Sequence, residues 1–187
     1  MAARFPWARV HWFWGDERFV PHDHPDSNYR MVRDALFAHV TVPGGNIHPM
    51  PTVSLSPEQA AAAYEETLKG FYGADALAPT RPLFDVTLLG LGEDGHTASL
   101  FPGHPALAEK RRWALAVIGA KSEPRITLTY PALDSSRDAV FLVTGAGKRE
   151  VAARARSGDP TLPAGRIRPV GRLHWFTDRA AASEGTK

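Results

Sequence analysis

The segment "FDVTLLGLGEDGHTASLFPG" (residues 84–103) decides the fold. Its first part, 84–92, is a nearly continuous apolar run, the mark of a strand covered on both faces. Its second part is a turn containing Gly90, Gly92 and Gly95, a literal G-x-G-x-x-G. Such a turn binds dinucleotides when bare backbone N–H groups and a helix N-terminus meet a pyrophosphate. Here Glu93 and Asp94 stand where they would repel one. The fingerprint also wants an acid about 20 positions on, after the next strand, to bind a ribose. That place holds Ala120-Lys121-Ser122. NAD binding is therefore not expected, and the polar groups of the loop become the candidates for chemistry.

Working outward, the runs 9–15, 113–119, 139–145 and 172–178 read as further strands, and "ITLTYPAL" (126–133) as a short strand before a turn. Helical patterns lie between them. Asp26 or Ser27 caps a helix carrying Tyr29, Val32, Leu36 and Val40. Ser56-Pro57-Glu58-Gln59 supplies an N-cap, a first-turn proline and a capping-box glutamine. Tyr64, Leu68 and Phe71 then form an apolar face, and Gly73 ends the helix. Residues 148–156 continue the rhythm. The alternation predicts a single domain over 1–187 of the α/β class, with a mostly parallel sheet and ligands at strand C-terminal ends. Asp16-Glu17-Arg18, residues 90–103 and Gly145-Ala146-Gly147-Lys148 each follow a strand, so all three converge on one cleft.

Composition narrows the function classes. Of 187 residues, 43% are hydrophobic and 22% charged, which suits one soluble domain with a real core. Zero cysteines exclude disulfides, a thiol nucleophile and thiolate metal sites. Net charge is only +2, and the densest basic run, "EKRRW" (109–113), is short, so no nucleic-acid partner is expected. The opening residues show no apolar stretch suited to a signal peptide or a membrane span; a cytoplasmic protein, monomeric or weakly dimeric, is expected. His22-Asp23-His24 reads as a solvated turn, and no metal or other cofactor is expected.

Within the loop, one reading takes Asp94 and His96 as the working pair. An imidazole with an ordinary pKa of about 6.5 takes a proton at neutral pH and returns it, and a carboxylate beside it orients the ring. D-G-H alone is also compatible with a tight turn bearing a surface histidine. From its neighbours alone, Arg18 reads as an ion-pair partner of Asp16 or Glu17. Lys148 is either an ordinary first-turn residue or a cation poised for an anionic ligand.

"WGDERFVPHDHPDSNYR" (14–30), "LLGLGEDGHTASLFPG" (88–103), "RITLTYPAL" (125–133) and "LVTGAGKREV" (142–151) occur together in this order. The set strongly resembles the 6-phosphogluconolactonase family, in the superfamily that includes glucosamine-6-phosphate deaminase/isomerase. The resemblance runs from about Trp7 to Asp178. It implies a Rossmann-like open sheet flanked by helices, and hydrolysis of 6-phosphogluconolactone to 6-phosphogluconate in the oxidative pentose phosphate pathway. It carries over His96 as the base that activates water, with Asp94 beside it. Arg18 and Lys148 match positions that hold the substrate phosphate, Arg125 an arginine near the same cleft, and Asn28 a place near it. The substrate is a sugar-phosphate lactone. The deaminase relatives place a Glu five residues after the His, where this chain has Phe101. A sugar-phosphate-binding module without catalysis would need Arg18 and Lys148 but not His96. Family members begin with a further βα segment bearing a Gly/Ser-rich phosphate loop; this chain opens almost directly on the strand leading to Asp16, so the resemblance implies an N-terminal truncation.

Overall fold

The computed structural model describes residues 5–182. Strands β1 (Trp12–Phe13), β2 (Asp16–Arg18), β3 (Ile47–His48), β4 (Phe84–Leu89), β5 (Ala114–Val117), β6 (Arg125–Leu128), β7 (Ser136–Val143) and β8 (Arg172–Thr177) alternate with helices. These are α1 (Asn28–Ala35), α2 (Pro57–Tyr72), α3 (Tyr130–Asp134) and α4 (Arg149–Arg156). The class is α/β, with parallel sheets and helices, as the alternation predicts.

The single mostly parallel sheet requires correction. Among the described residues the strands form a parallel pair β1–β3, a parallel sheet β4–β7–β8 and a separate sheet β2–β6–β5. In the last, both pairings are antiparallel. The reason is the connection. Only Ile118 through Pro124 separate the pairing ends of β5 and β6, too short for the crossover that parallel neighbours require. The first strand is also shorter than the 9–15 run predicts, because Trp7–Arg9 forms a 3-10 turn and Trp14-Gly15 separates β1 from β2.

Helix α2 forms as its sequence dictates. Ser56 accepts from the Gln59 N–H, the Gln59 side chain closes the capping box, and Gly73 ends the helix in the left-handed region at φ 75°. Tyr64 and Leu68 are fully buried, each contributing roughly 1.5–3 kcal/mol by burial. Tyr72, rather than Phe71, completes the buried face; Phe71 is 45% exposed and leans on Phe13, with ring centroids 4.9 Å apart. The Tyr64 hydroxyl takes the Trp14 N–H (2.8 Å) and donates to the Trp14 carbonyl (3.1 Å), fixing the chain just before β2. Glu65 accepts from Arg112 Nε at 2.6 Å and from the Trp113 N–H at 3.2 Å, which ties α2 to the start of β5. Helix α1 stops at Ala35, short of Val40, where the β-branched run Val40-Thr41-Val42 leads into Pro43.

The parallel sheet is buried on one face, through Thr87, Leu89, Ala139, Phe141 and Val143. Its other face carries Val86, Leu88, Leu142 and Phe176, all more than half exposed. The expectation that 84–92 is covered on both faces thus holds for one face only among the described residues, and the neighbouring β7 shows the same.

Burial also acts on one acid. It pushes the Asp134 carboxyl up to about 6, against the backbone N–H and charge of Arg168, which lower it. A carboxyl with a raised folded-state pKa stabilises the fold most below its unfolded value, and that contribution is lost as pH rises through about 6. Asp134→Asn retains an acceptor for the Arg168 N–H (2.8 Å) without the charge. The variant should match the parent near pH 4 and exceed it by roughly 1–3 kcal/mol near pH 7.5, measured by urea unfolding at both values.

Candidate active site

The loop 90–103 leaves β4 and folds back on itself. The Gly92 N–H donates to the His96 carbonyl (2.9 Å), the Gly95 N–H to the Gly92 carbonyl (3.0 Å), and Thr97 Oγ1 to the Gly90 carbonyl (2.9 Å). This brings Asp94 Oδ1 to 2.6 Å from His96 Nδ1 and 3.0 Å from the His96 N–H. Burial works against the Asp94 charge, but the His96 backbone and ring hydrogen bonds, with the charges of His96 and Lys121, outweigh it. They hold the carboxyl below its ordinary value. An ionised carboxylate only accepts, so Nδ1 carries a proton, and in the neutral ring the lone pair lies on Nε2.

Gly92 makes this geometry possible. A Cβ there would lie 2.0 Å from His96 Nδ1 and 2.7 Å from Asp94 Oδ1, so the ring occupies the space of the missing side chain. Gly95, at φ 84°, packs against Leu162, and its carbonyl accepts the Ala164 N–H at 3.0 Å. Ala98 adopts φ 48°, a region that costs a residue with a Cβ about 1 kcal/mol or more. The next residue, Ser99, is fully buried and explains what holds the turn. Its hydroxyl donates to Asp16 Oδ2 at 2.7 Å, and its N–H donates to Thr127 Oγ1 at 3.1 Å.

Asp16-Glu17-Arg18 is strand β2 itself rather than a loop after a strand. Register places Arg18 directly opposite Arg125 on β6. Like charges in that position repel. Burial, followed by the Arg18 charge, lowers the Arg125 pKa, while Asp16, Glu123 and Asp26 offset part of the shift. Both arginines have a buried Nε with no hydrogen-bond partner. Buried donors are nearly always paired, so the two guanidinium groups on adjacent strands retain unused hydrogen-bonding capacity. Arg18 makes no ion pair with Asp16 or Glu17; its Nη1 donates to the Asp26 carbonyl at 2.6 Å. Glu17, 1% exposed, accepts the N–H groups of Asn28 and Tyr29 and so caps α1. Asn28 Nδ2 donates to the Asp16 carbonyl at 3.0 Å, pinning α1 to β2 beside Arg18.

The third segment follows β7. Gly145 donates its N–H to Asp178 beyond β8, and Ala146–Lys148 make a 3-10 turn before α4. Gly147 lies under Glu93, whose Oε1 would be 3.0 Å from a Cβ at that position. The loop 90–103 therefore meets β2 at its Ser99 end and the Lys148 turn at its Glu93 end. His22 and His24 are engaged separately, with the Met50 carbonyl and with Asp26. Among the described residues no group of three or more His, Asp or Glu is arranged to hold a metal ion, and no helix is long and apolar enough to cross a membrane. Asp16, Glu17 and Ser99, not expected as site residues, prove to hold its parts together.

The family described as glucosamine-6-phosphate isomerases/6-phosphogluconolactonase matches residues 1–175. The chain belongs to that family. It is 48% identical to a 6-phosphogluconolactonase of Synechocystis over 94% of this chain and 73% of the relative. It is 44% identical to one of Nostoc over 98% of this chain and 76% of the relative. A solved 6-phosphogluconolactonase of Thermotoga maritima superposes with a TM-score of 0.79 at 33% identity, over 93% of this chain and 75% of that one.

The Gly92 contact gives a direct check. Gly92→Ala should leave the far-UV circular dichroism unchanged while the ring of His96 is driven off Asp94. The downfield Nδ1–H proton resonance expected of that bond should disappear, and its persistence would show that the loop accommodates a methyl group.

Proposed function

We propose that this chain hydrolyses 6-phosphogluconolactone to 6-phosphogluconate in the oxidative pentose phosphate pathway, with His96 as general base. One observation carries the assignment of roles. Asp94 fixes Nδ1 of His96 at 2.6 Å, leaving Nε2 as the proton acceptor in a loop tied to β2, where Arg18 faces Arg125 of the neighbouring β6 and both arginines are under-bonded. Nε2 removes a proton from water as the water oxygen bonds to the lactone carbonyl carbon. Asp94 stabilises the resulting imidazolium. When the ring ester bond breaks, the imidazolium returns the proton to the departing alkoxide. Arg18, Arg125 and Lys148 hold the phosphate, to which forked guanidinium groups and an ammonium are suited. Asn28 borders the same cleft. The chemistry calls for no metal or other cofactor. A Rossmann-like sheet, built around β4–β7–β8, and a cytoplasmic monomer or weak dimer belong to the same reading.

Phe101 favours lactone hydrolysis over amino-sugar phosphate deamination. It stands where the deaminase reading calls for a Glu, is 6% exposed, and sets its ring 4.7 Å from that of His96. An apolar side chain there cannot shuttle the additional proton.

His96→Asn should keep the fold and lower lactone hydrolysis by about 10²–10⁴, after subtraction of spontaneous ring opening. Near-normal turnover by the folded variant would remove His96 from its role. Lys148→Ala should weaken use of the phosphorylated lactone about 10- to 100-fold and barely affect unphosphorylated gluconolactone, since the lost charge-assisted bond is worth roughly 1.5–3 kcal/mol. Equal losses on both substrates would count against a phosphate contact.

A further inference from the structure

A cavity of about 390 Å³ opens beside the dyad, with Asp94, Phe101, Pro102, His104, Ala120 and Lys121 in its lining. Phe101 lines it. One side of that ring meets His96, and Lys121 Nζ lies 5.2 Å from the ring centroid. Two segments make the walls, 101–105 and the turn after β5. His104 Nε2 meets the Ile118 carbonyl at 3.4 Å and links them. Among the lining residues Lys121 is the one that carries a permanent positive charge besides the titratable His104. The negative group nearest the chemistry, Asp94, is committed to His96.

Lactone hydrolysis creates negative charge at C1 twice. As water adds, the carbonyl electron pair moves onto oxygen and makes a tetrahedral oxyanion. When the C1–ring oxygen bond breaks, the acid formed ionises to a carboxylate. The proposed phosphate-binding cations serve the other end of the substrate. A fixed cation facing the oxyanion is the kind of group that lowers such a barrier.

We infer that Lys121 is a further catalytic residue, which meets the C1 oxygen of the lactone as it becomes anionic and then the carboxylate of the product. The inference rests on the lactonase reading. The Lys121 charge also acts at Asp94, after burial and the His96 hydrogen bonds, so an indirect role through the dyad must be separable. Two inhibitors separate them. 6-Phosphogluconate carries the carboxylate, whereas glucitol 6-phosphate carries a neutral hydroxymethyl group in its place.

Lys121→Met should lower kcat/KM for phosphorylated and unphosphorylated lactone by similar factors, about 10²-fold. It should weaken inhibition by 6-phosphogluconate about tenfold and leave inhibition by glucitol 6-phosphate as it is. Lys121→Arg should recover most of the loss. Unchanged kinetics, equal weakening of both inhibitors, or a shift of the pH profile alone would overturn the inference, the last pointing to an effect through Asp94. Should the parent protein hydrolyse neither lactone, the lactonase reading fails. Calorimetric binding of the two sugar phosphates to parent and Lys121→Met then still tests Lys121: selective loss of 6-phosphogluconate binding supports it, and equal binding by both proteins refutes it.

Discussion

The hydrogen bond from Ser99 to Asp16, 2.7 Å long and closed to solvent at the serine, joins the two halves of the site. On one side lies the loop that carries Asp94 and His96. On the other lies β2, with Arg18 one residue past Glu17 and opposite Arg125. These segments are far apart in the chain and belong to different sheets. Without a fixed link, the distance between base and cations would float by more than the fraction of an ångström that productive geometry tolerates. Asp16 also accepts through its carbonyl from Asn28, so α1 shares the same anchor.

The loop is shaped by what is left out and by what is forced. Gly92 is the bed of the imidazole, and Leu162 with the Ala164 N–H supports Gly95 from behind. Ala98 then accepts a left-handed backbone so that Ser99 can turn inward. Strain of that size persists where surrounding contacts over-determine the conformation, and here two hydrogen bonds of Ser99 do so. Glu17 plays the matching part on β2. A buried carboxylate caps α1 and thereby fixes the strand that holds Arg18 opposite Arg125.

What was legible in the sequence was local. The capping box and the terminal glycine of α2 lie within one turn of the groups they satisfy, and the helix begins and ends where they say. D-G-H announced the dyad for the same reason, since its partners are two residues apart. Non-local features escaped. The short turn between β5 and β6 makes an antiparallel pair, yet its strands have the same apolar content as parallel ones, and the 9–15 run did not disclose its break at Trp14-Gly15. The facing of Arg18 and Arg125 depends on register between segments more than a hundred residues apart, so the two appeared as separate candidates. Ser99 and Lys121 carry no motif signal of their own chemistry. The outer face of the parallel sheet shows the limit of pattern reading most plainly: Val86, Leu88 and Leu142 have the composition of buried strand residues and are exposed among the described residues.

The central claim is that one anchored loop sets a histidine base at one end of a sugar phosphate whose other end rests on paired arginines. A crystal structure with 6-phosphogluconate tests it most directly. The account predicts the phosphate on the guanidinium groups of Arg18 and Arg125 with Lys148 alongside, and the C1 carboxylate next to His96 Nε2. A phosphate bound away from both arginines, or a carboxylate remote from His96, would contradict it.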